Sequence, residues 1–179
     1  MSETRDEIYI SVDIEASGPI PGDYSLLSIG ACVVLEPETH FYVELQPISE
    51  KAVAEALAVT GFSLDELKER GTPPKAAMEN FAQWINANTG TQVPVFVGFN
   101  ACFDWAFINW YFHHFLGRNP FGIGGIDIKS YYMGRARSRW SETTSSQLPA
   151  HLAIRKHMAH NALQDAIAQG ELVRKLLKS

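Results

Sequence analysis

The first 45 residues contain three strand-like segments joined by links too short to hold a helix. Residues 8–15, 26–35 and 40–45 are rich in β-branched, aromatic and other apolar side chains, and turn-forming residues separate them, including 36–39 before the third segment. Consecutive strands with short links pair as an antiparallel meander, because parallel strands need a crossover of about a dozen residues or more. This beginning restricts the chain to folds built on a three-stranded meander.

After residue 50 the spacing of apolar residues changes from that of strands to that of helices. Ser63 and Asn100 are predicted to be helix N-caps, and residues 138–150 are predicted to form a loop. Strands followed by alternating helices and strands predict an α/β fold, a five-stranded mixed sheet flanked by helices, in a single domain over residues 1–179. The predicted helices are 50–59, 63–70, 73–88, 100–116, 129–137 and 162–177, and the further strands are 93–99 and 126–128.

Composition excludes several classes of protein. The chain is 46% hydrophobic and 20% charged, which is typical of globular proteins and excludes a disordered tail, a collagen-like repeat and a disulfide-stapled miniprotein. No apolar run approaches the roughly 18 residues of a membrane span, and the polar, acidic N-terminus lacks a secretory signal, so a cytoplasmic protein is expected. Cys32 and Cys102 are expected to be buried free thiols.

The charges are unevenly distributed along the chain. Residues 1–117 contain 5 basic and 16 acidic side chains, whereas residues 118–179 contain 10 basic and 4 acidic ones. A basic half of this kind indicates either an anionic partner such as nucleic acid or an ordinary solvated face.

Four acidic residues stand beside apolar sequence at the ends of predicted elements. Asp13 and Glu15 are two apart in a strand and therefore point to the same face, where two desolvated carboxylates repel unless a cation compensates; an exposed edge of the sheet is the alternative. Asp104 and Asp165 each lie near the start of an apolar helix, where an acid also stabilises the helix dipole. His160 lies five residues before Asp165 and is expected just outside that helix.

These residue types together indicate phosphoryl-transfer chemistry. If the four carboxylates converge, they require divalent metal, and an all-oxygen ligand set favours magnesium or manganese over zinc. Two such cations support in-line displacement at phosphorus. A histidine beside them, which titrates near neutral pH, is suited to take the proton of the attacking water.

Three stretches of the chain resemble the exonuclease motifs of the DEDDh, or DnaQ-like, 3′–5′ exonucleases. They are Asp13-Ile14-Glu15, residues 100–104 and residues 160–165. This family includes ribonuclease T, oligoribonuclease and the proofreading subunit of bacterial replicases, and the resemblance extends over about residues 8–175. It implies a ribonuclease-H-like fold, which also begins with a three-stranded meander.

The resemblance assigns roles to the five residues. It implies that two Mg²⁺ (or Mn²⁺) ions are held by the four carboxylates and that His160 is the general base. The metal ligands would be Asp13, Glu15, Asp104 and Asp165.

The resemblance also implies a nucleotide pocket beside the first motif. Ala16-Ser17-Gly18 stand where the family commonly has Thr-Thr-Gly or Met-Thr-Gly, and the glycine allows the backbone to approach a terminal 3′ nucleotide. Serine in place of threonine and Pro19 in place of a leucine depart from the family's pattern, so the resemblance does not define the details of this pocket. Phe62 and Phe103 stand where family members often present base-stacking aromatics, with core packing as the alternative.

The implied activity is metal-dependent 3′–5′ hydrolysis of single-stranded RNA or DNA to nucleoside 5′-monophosphates. The partners are single-stranded 3′ ends, no membrane is involved, and a homodimer is left open because several members are dimers.

One alternative is a catalytically silent exonuclease-fold module that docks on a polymerase or another protein. Another is a metal-dependent enzyme for a small phosphodiester. The basic residues that either meet the phosphate backbone or only balance the acidic half are Arg135, Arg137, Arg139, Arg155 and Lys156.

Overall fold

A computed structural model describes residues 6–153 and 161–178, and these contain a five-stranded sheet. The strand order is β3-β2-β1-β4-β5, with β1, β2 and β3 antiparallel and β4 and β5 parallel to β1. The predicted meander and mixed sheet are therefore confirmed. The strands are β1 (Glu7–Ala16), β2 (Leu26–Val33), β3 (Glu36–Glu44), β4 (Val93–Gly98) and β5 (Gly125–Asp127).

Six α-helices flank the sheet in the described part of the chain. Two short 3₁₀ helices, Trp140–Thr143 and Ala150–Leu152, lie in or beside the stretch predicted as a loop. The helices are α1 (Ala54–Thr60), α2 (Leu64–Arg70), α3 (Pro74–Thr89), α4 (Cys102–Leu116), α5 (Ile128–Ala136) and α6 (Ala162–Lys178).

The two faces of the sheet are covered differently. Ile10, Val12 and Ile14 of β1 pack into an aromatic core with α3 and α4, in which the rings of Phe81 and Phe112 stack at 5.6 Å. Helix α6 packs across β1 and β2 on the opposite face. Because side chains alternate along a strand, Ser11, Asp13 and Glu15 point towards the α6 side.

Strand β3 begins earlier than the sequence predicts. The two-residue turn is Val34-Leu35, so residues 36–39 belong to the strand and not to the turn. Pro37 is accommodated because β3 is an edge strand, where a missing N–H costs no ladder hydrogen bond. Helix α1 also starts later, at Ala54, since the N–H of Val53 donates to the carbonyl of Ser17 at 2.8 Å.

The two predicted N-caps have opposite outcomes. Ser63 is confirmed, because its side chain accepts from Glu66 N at 3.4 Å. The prediction for Asn100 is wrong: this residue takes a left-handed backbone conformation with φ of 65°, which asparagine tolerates. The free N–H of Ala101 donates to Asp127 Oδ2 instead, at 2.8 Å.

The cysteines also differ from each other. Cys32 is a buried free thiol as expected, whereas Cys102, the first residue of α4, is exposed, so the expectation for it was wrong. Within residues 6–153 and 161–178, no helix is long and apolar enough to cross a membrane.

Candidate active site

A crevice opens where β1 and β4 separate. Their parallel pairing ends at Ser11 and Val97, while β1 continues beside β2 as far as Ala16. Helix α4 follows β4, and Asp104 in its first turn fills the opening, with Oδ1 accepting from Ile14 N at 3.0 Å. Crevices at the carboxyl ends of diverging strands are usual places for ligand sites in α/β proteins.

The structure brings the four predicted acids to this crevice. Asp13, Glu15 and Asp165 each place a carboxylate oxygen within 4.8 Å of the others. Asp104 approaches from α4, is only 5% exposed, and binds the backbone between Asp13 and Glu15. Residues from two strand positions and the first turns of two helices therefore share one small space.

Burial and mutual repulsion raise the pKa of three carboxyls in this crevice, those of Asp13, Glu15 and Asp104. Desolvation raises the pKa of Asp13 well above its ordinary value, and the charges of Asp104, Asp165 and Glu15 add to the effect. Burial raises the pKa of Glu15 to about 7, with a contribution from Asp165. Burial also raises the pKa of Asp104 to about 8, although the hydrogen bond from Ile14 N opposes this.

The chemistry of this donor set fits divalent metal. Crowded carboxylates near neutral pH need either protons or cations, and the raised pKa values of Asp13, Glu15 and Asp104 follow from this crowding and burial. Carboxylate oxygens are the ligands preferred by magnesium and manganese. The carboxylates of the crevice are therefore able to hold divalent cations.

Gly30 allows α6 to bring Asp165 close to β1. Gly30 pairs directly with Asp13, and a Cβ on Gly30 would lie 2.1 Å from the carbonyl carbon of Ala162. The first turn of α6 therefore rests on the backbone of β2 with no side chain between them. Gly30 is not among the site residues predicted from the sequence, although an isolated glycine in a buried strand indicates close backbone approach.

Gln169 is a second residue that sequence analysis missed. Its Nε2 donates to Asp13 Oδ1, and its Oε1 accepts from Phe99 N at 3.0 Å. It is 6% exposed and lies one turn after Asp165 on the same side of α6. Gln169 thus fixes the carboxylate of Asp13 against the end of β4. The available signal was a polar residue in the buried stripe of α6.

The start of α6 holds Asp165 in place. Asn161 Oδ1 accepts from Gln164 N at 3.1 Å, which is an N-cap hydrogen bond, and Asp165 Oδ2 accepts from Asn161 N at 3.3 Å. The predicted base His160 directly precedes this cap and lies outside the described residues, as do Arg155 and Lys156.

Asp127 at the end of β5 connects the site to α5. Besides the bond to Ala101, its Oδ1 accepts from Ser130 N at 2.7 Å and so caps α5. The charge of Asp127 also contributes to the raised pKa of Asp104. One carboxylate thus positions the starts of both α4 and α5.

The segment after the first motif is built into the fold. Ser17 is fully buried, and its Oγ accepts from Ser25 N and donates to the carbonyl of Lys51, both at 2.9 Å. Ala16 is 6% exposed. A Cβ on Gly18 would lie 2.2 Å from the ring of Tyr24, so that ring packs directly on the glycine. What this segment can offer a nucleotide is mainly its backbone.

The two predicted stacking aromatics have different environments. Phe103 precedes Asp104, is 37% exposed and packs against Phe107 with ring centroids 5.3 Å apart. Phe62 is half-buried and follows Gly61, the left-handed C-cap of α1. Part of the Phe103 ring is therefore accessible from solvent beside the carboxylates.

Comparison with known proteins agrees with this geometry. Residues 10–173 match the family model RNase_T, described as an exonuclease. A curated protein of Escherichia coli, the 3′-5′ DNA exonuclease Cap18, is 51% identical over 172 residues, which are 96% of this chain and 92% of that protein.

Solved structures confirm the expected ribonuclease-H-like fold. The nuclease domain of 3′hExo, a DEDDh family member bound to rAMP, has a TM-score of 0.76 at 15% identity, covering 99% of this chain and 94% of that one. E. coli Exonuclease I in complex with a dT13 oligonucleotide has a TM-score of 0.72 at 17% identity, covering 97% of this chain and 41% of the other. With the family model spanning most of the sequence, the chain belongs to the DEDDh exonuclease family, and it is a 3′–5′ exonuclease that acts on nucleic acid.

Proposed function

We propose that this chain, as one exonuclease domain over residues 1–179, removes nucleotides from the 3′ ends of single-stranded DNA and releases nucleoside 5′-monophosphates. The observation that carries the proposal is the group of carboxylate oxygens of Asp13, Glu15 and Asp165 within 4.8 Å, beside the buried Asp104. The E. coli relative is named a DNA exonuclease, which supports DNA, while the rAMP in 3′hExo makes RNA the competing substrate.

In this proposal the carboxylates hold a pair of magnesium or manganese ions. The ligands are Asp13, Glu15, Asp104 and Asp165, and Gln169 orients the first of them. Bound ions of this kind would supply Lewis acidity for in-line attack of water on the terminal phosphodiester.

The remaining residues bind the nucleotide and move the proton. His160 takes the proton of the attacking water, and the oxygen of that water forms the new bond to phosphorus. The bond from phosphorus to the 3′ oxygen of the preceding nucleotide breaks, and that oxygen leaves and takes a proton from solvent water to become the new 3′ hydroxyl. The residues proposed to hold the terminal nucleotide are Ala16, Ser17, Gly18, Phe62 and Phe103.

The test uses single strands of DNA and RNA with a 5′ label, incubated with Mg²⁺ or with chelator. We expect a ladder of products shortened from the 3′ end with Mg²⁺ and intact strands with chelator. Chromatography should identify nucleoside 5′-monophosphates as products. Asp13→Asn should abolish shortening, whereas the matched control Glu69→Gln, an exposed carboxylate on α2, should not.

The competing proposals predict different results. Shortening of RNA but not DNA would contradict the proposal that the substrate is DNA. Hydrolysis of a small phosphodiester without shortening of strands would contradict the polymeric substrate. Complete inactivity together with capture of a protein partner would favour the silent docking module. The homodimer is a separate proposal, which light scattering on the purified chain tests directly.

A further inference from the structure

Basic side chains in the described part of the chain differ in whether they form ion pairs. Lys51, Lys68, Arg70 and Lys75 each lie within 4.0 Å of an acidic side chain. In contrast, the basic residues of α5 and the stretch after it form no ion pair within residues 6–153 and 161–178. These are Lys129, Arg135, Arg137 and Arg139, and residues 128–141 contain no acidic residue.

This unpaired group, with Trp140, forms a surface that we call the basic segment, residues 129–140. Arg135, Arg137 and Arg139 are exposed. Trp140 is 51% exposed, and Lys129 Nζ lies 4.0 Å from the centre of its ring. The 3₁₀ helix that begins at Trp140 packs against α5. Four cations that form no ion pair, next to an accessible aromatic ring, are the combination that suits binding of single-stranded nucleic acid.

The basic segment starts beside the catalytic crevice. Asp127 caps α5 and also binds Ala101 N at the start of α4, three residues before Asp104. Lys129 lies in the first turn of α5, and Arg135 lies in its last turn. A helix of nine residues is about 13 Å long. The cations therefore extend along α5, away from the crevice, over a distance longer than one nucleotide.

We propose that the basic segment binds the phosphate backbone of the substrate strand upstream of its 3′ terminal nucleotide, with Trp140 stacking on a base. This inference rests on the proposed function, because it takes the strand in the crevice as its starting point. In this proposal these residues determine how affinity depends on strand length and on salt concentration, and they take no part in the chemical step.

The first experiment measures binding at several salt concentrations in chelator, so that no strand is cut. The probe is a fluorescent single-stranded DNA of about ten nucleotides. The test variant is Arg135→Gln/Arg137→Gln/Arg139→Gln. If all three side chains meet phosphates, the slope of log affinity against log salt should become shallower by about 2, since each contact on a single strand contributes about 0.7.

The matched control removes the same number of charges elsewhere. Lys51→Gln/Lys68→Gln/Lys75→Gln neutralises cations that already have acidic partners, and it should leave the slope nearly unchanged. Thermal melting of both variants checks that the fold is retained. A separate variant, Trp140→Leu, should weaken binding of the long strand about tenfold, as expected for the loss of one stacked base.

The second experiment separates this inference from the proposed function. With Mg²⁺, kcat/KM is measured for a dinucleotide and for the long strand. The arginine variant should keep wild-type kcat/KM on the dinucleotide and lose it on the long strand. Inactivity of the wild type on both substrates would refute the proposed function, while the binding slope would still test the basic segment.

Two results would overturn the inference. One is an arginine variant whose salt slope and long-strand kcat/KM equal those of the wild type. The other is a variant that keeps its affinity for DNA but loses affinity for polyglutamate, since the segment would then bind acidic protein and not nucleic acid.

Discussion

Removing divalent metal should make the stability of this fold depend on pH through Glu15. The Glu15 residue is 8% exposed, and burial together with Asp165 raises its pKa from 4.5 to about 7. The unfolded chain returns the carboxyl to its ordinary pKa, so between these pH values the folded state holds a proton that the unfolded state has released. The stabilising contribution is therefore complete below pH 4.5 and is lost as the pH rises through about 7.

The size of this loss follows from the shift in pKa. One pKa unit corresponds to about 1.4 kcal/mol, so the free energy of unfolding should fall by about 3 kcal/mol through Glu15. Asp104, with a pKa raised to about 8, and Asp13 act in the same direction. The fall should therefore continue above pH 7 in the metal-free protein.

Urea denaturation followed by tryptophan fluorescence measures this effect. Free energies of unfolding are compared between pH 5 and pH 8 in chelator and again in Mg²⁺, which should reduce the fall because it binds the ionised carboxylates. Glu15→Gln should also reduce it, whereas Glu69→Gln should behave as the wild type. A metal-free stability that is constant or rises over this range, and that Glu15→Gln leaves unchanged, would refute the reasoning.

Four further variants test the framework of the site. Asp165→Asn should abolish metal-dependent shortening while the metal-free melting temperature stays the same or rises, because one repelling charge is gone; a drop of many degrees would contradict this. Gln169→Leu should weaken Mg²⁺ binding about 10- to 100-fold in calorimetry; an unchanged affinity would remove its orienting role. Gly30→Ala should cost about 3 kcal/mol in urea denaturation, because its Cβ would collide with α6, and near-wild-type stability would contradict that close approach. Tyr111→Phe should cost about 1–3 kcal/mol by the same measurement, since its hydroxyl accepts from the buried Leu26 N at 2.8 Å, and no loss would show that this N–H finds another acceptor.

The sheet could be predicted because a strand that is buried on both faces requires a run of apolar residues, which is visible in the sequence. The short links between the first three strands were sufficient to predict the meander. The four acids could be predicted as site residues because burying a carboxylate in apolar surroundings is costly. The errors at residues 36–39 and at Asn100 have a common cause. In both cases the tertiary arrangement decides: β3 is an edge strand that tolerates Pro37, and Asn100 takes a left-handed conformation while the neighbouring N–H of Ala101 donates to Asp127.

The residues that hold the acids in place were harder to predict than the acids themselves. Gly30 matters only because α6 returns to rest on it after more than a hundred residues, and Gln169 matters because its amide reaches both Asp13 and Phe99. Local sequence carries little information about such pairings, since they depend on where separate segments meet in space.

The order in which the acids are synthesised has a consequence for the cell. All five strands and Asp104 leave the ribosome before α6, so an unfinished chain lacks Asp165 and has only part of its acidic cluster. We therefore expect hydrolytic activity only once α6 has docked on Gly30. We expect a truncated chain without this helix to lack hydrolytic activity on nucleic acid.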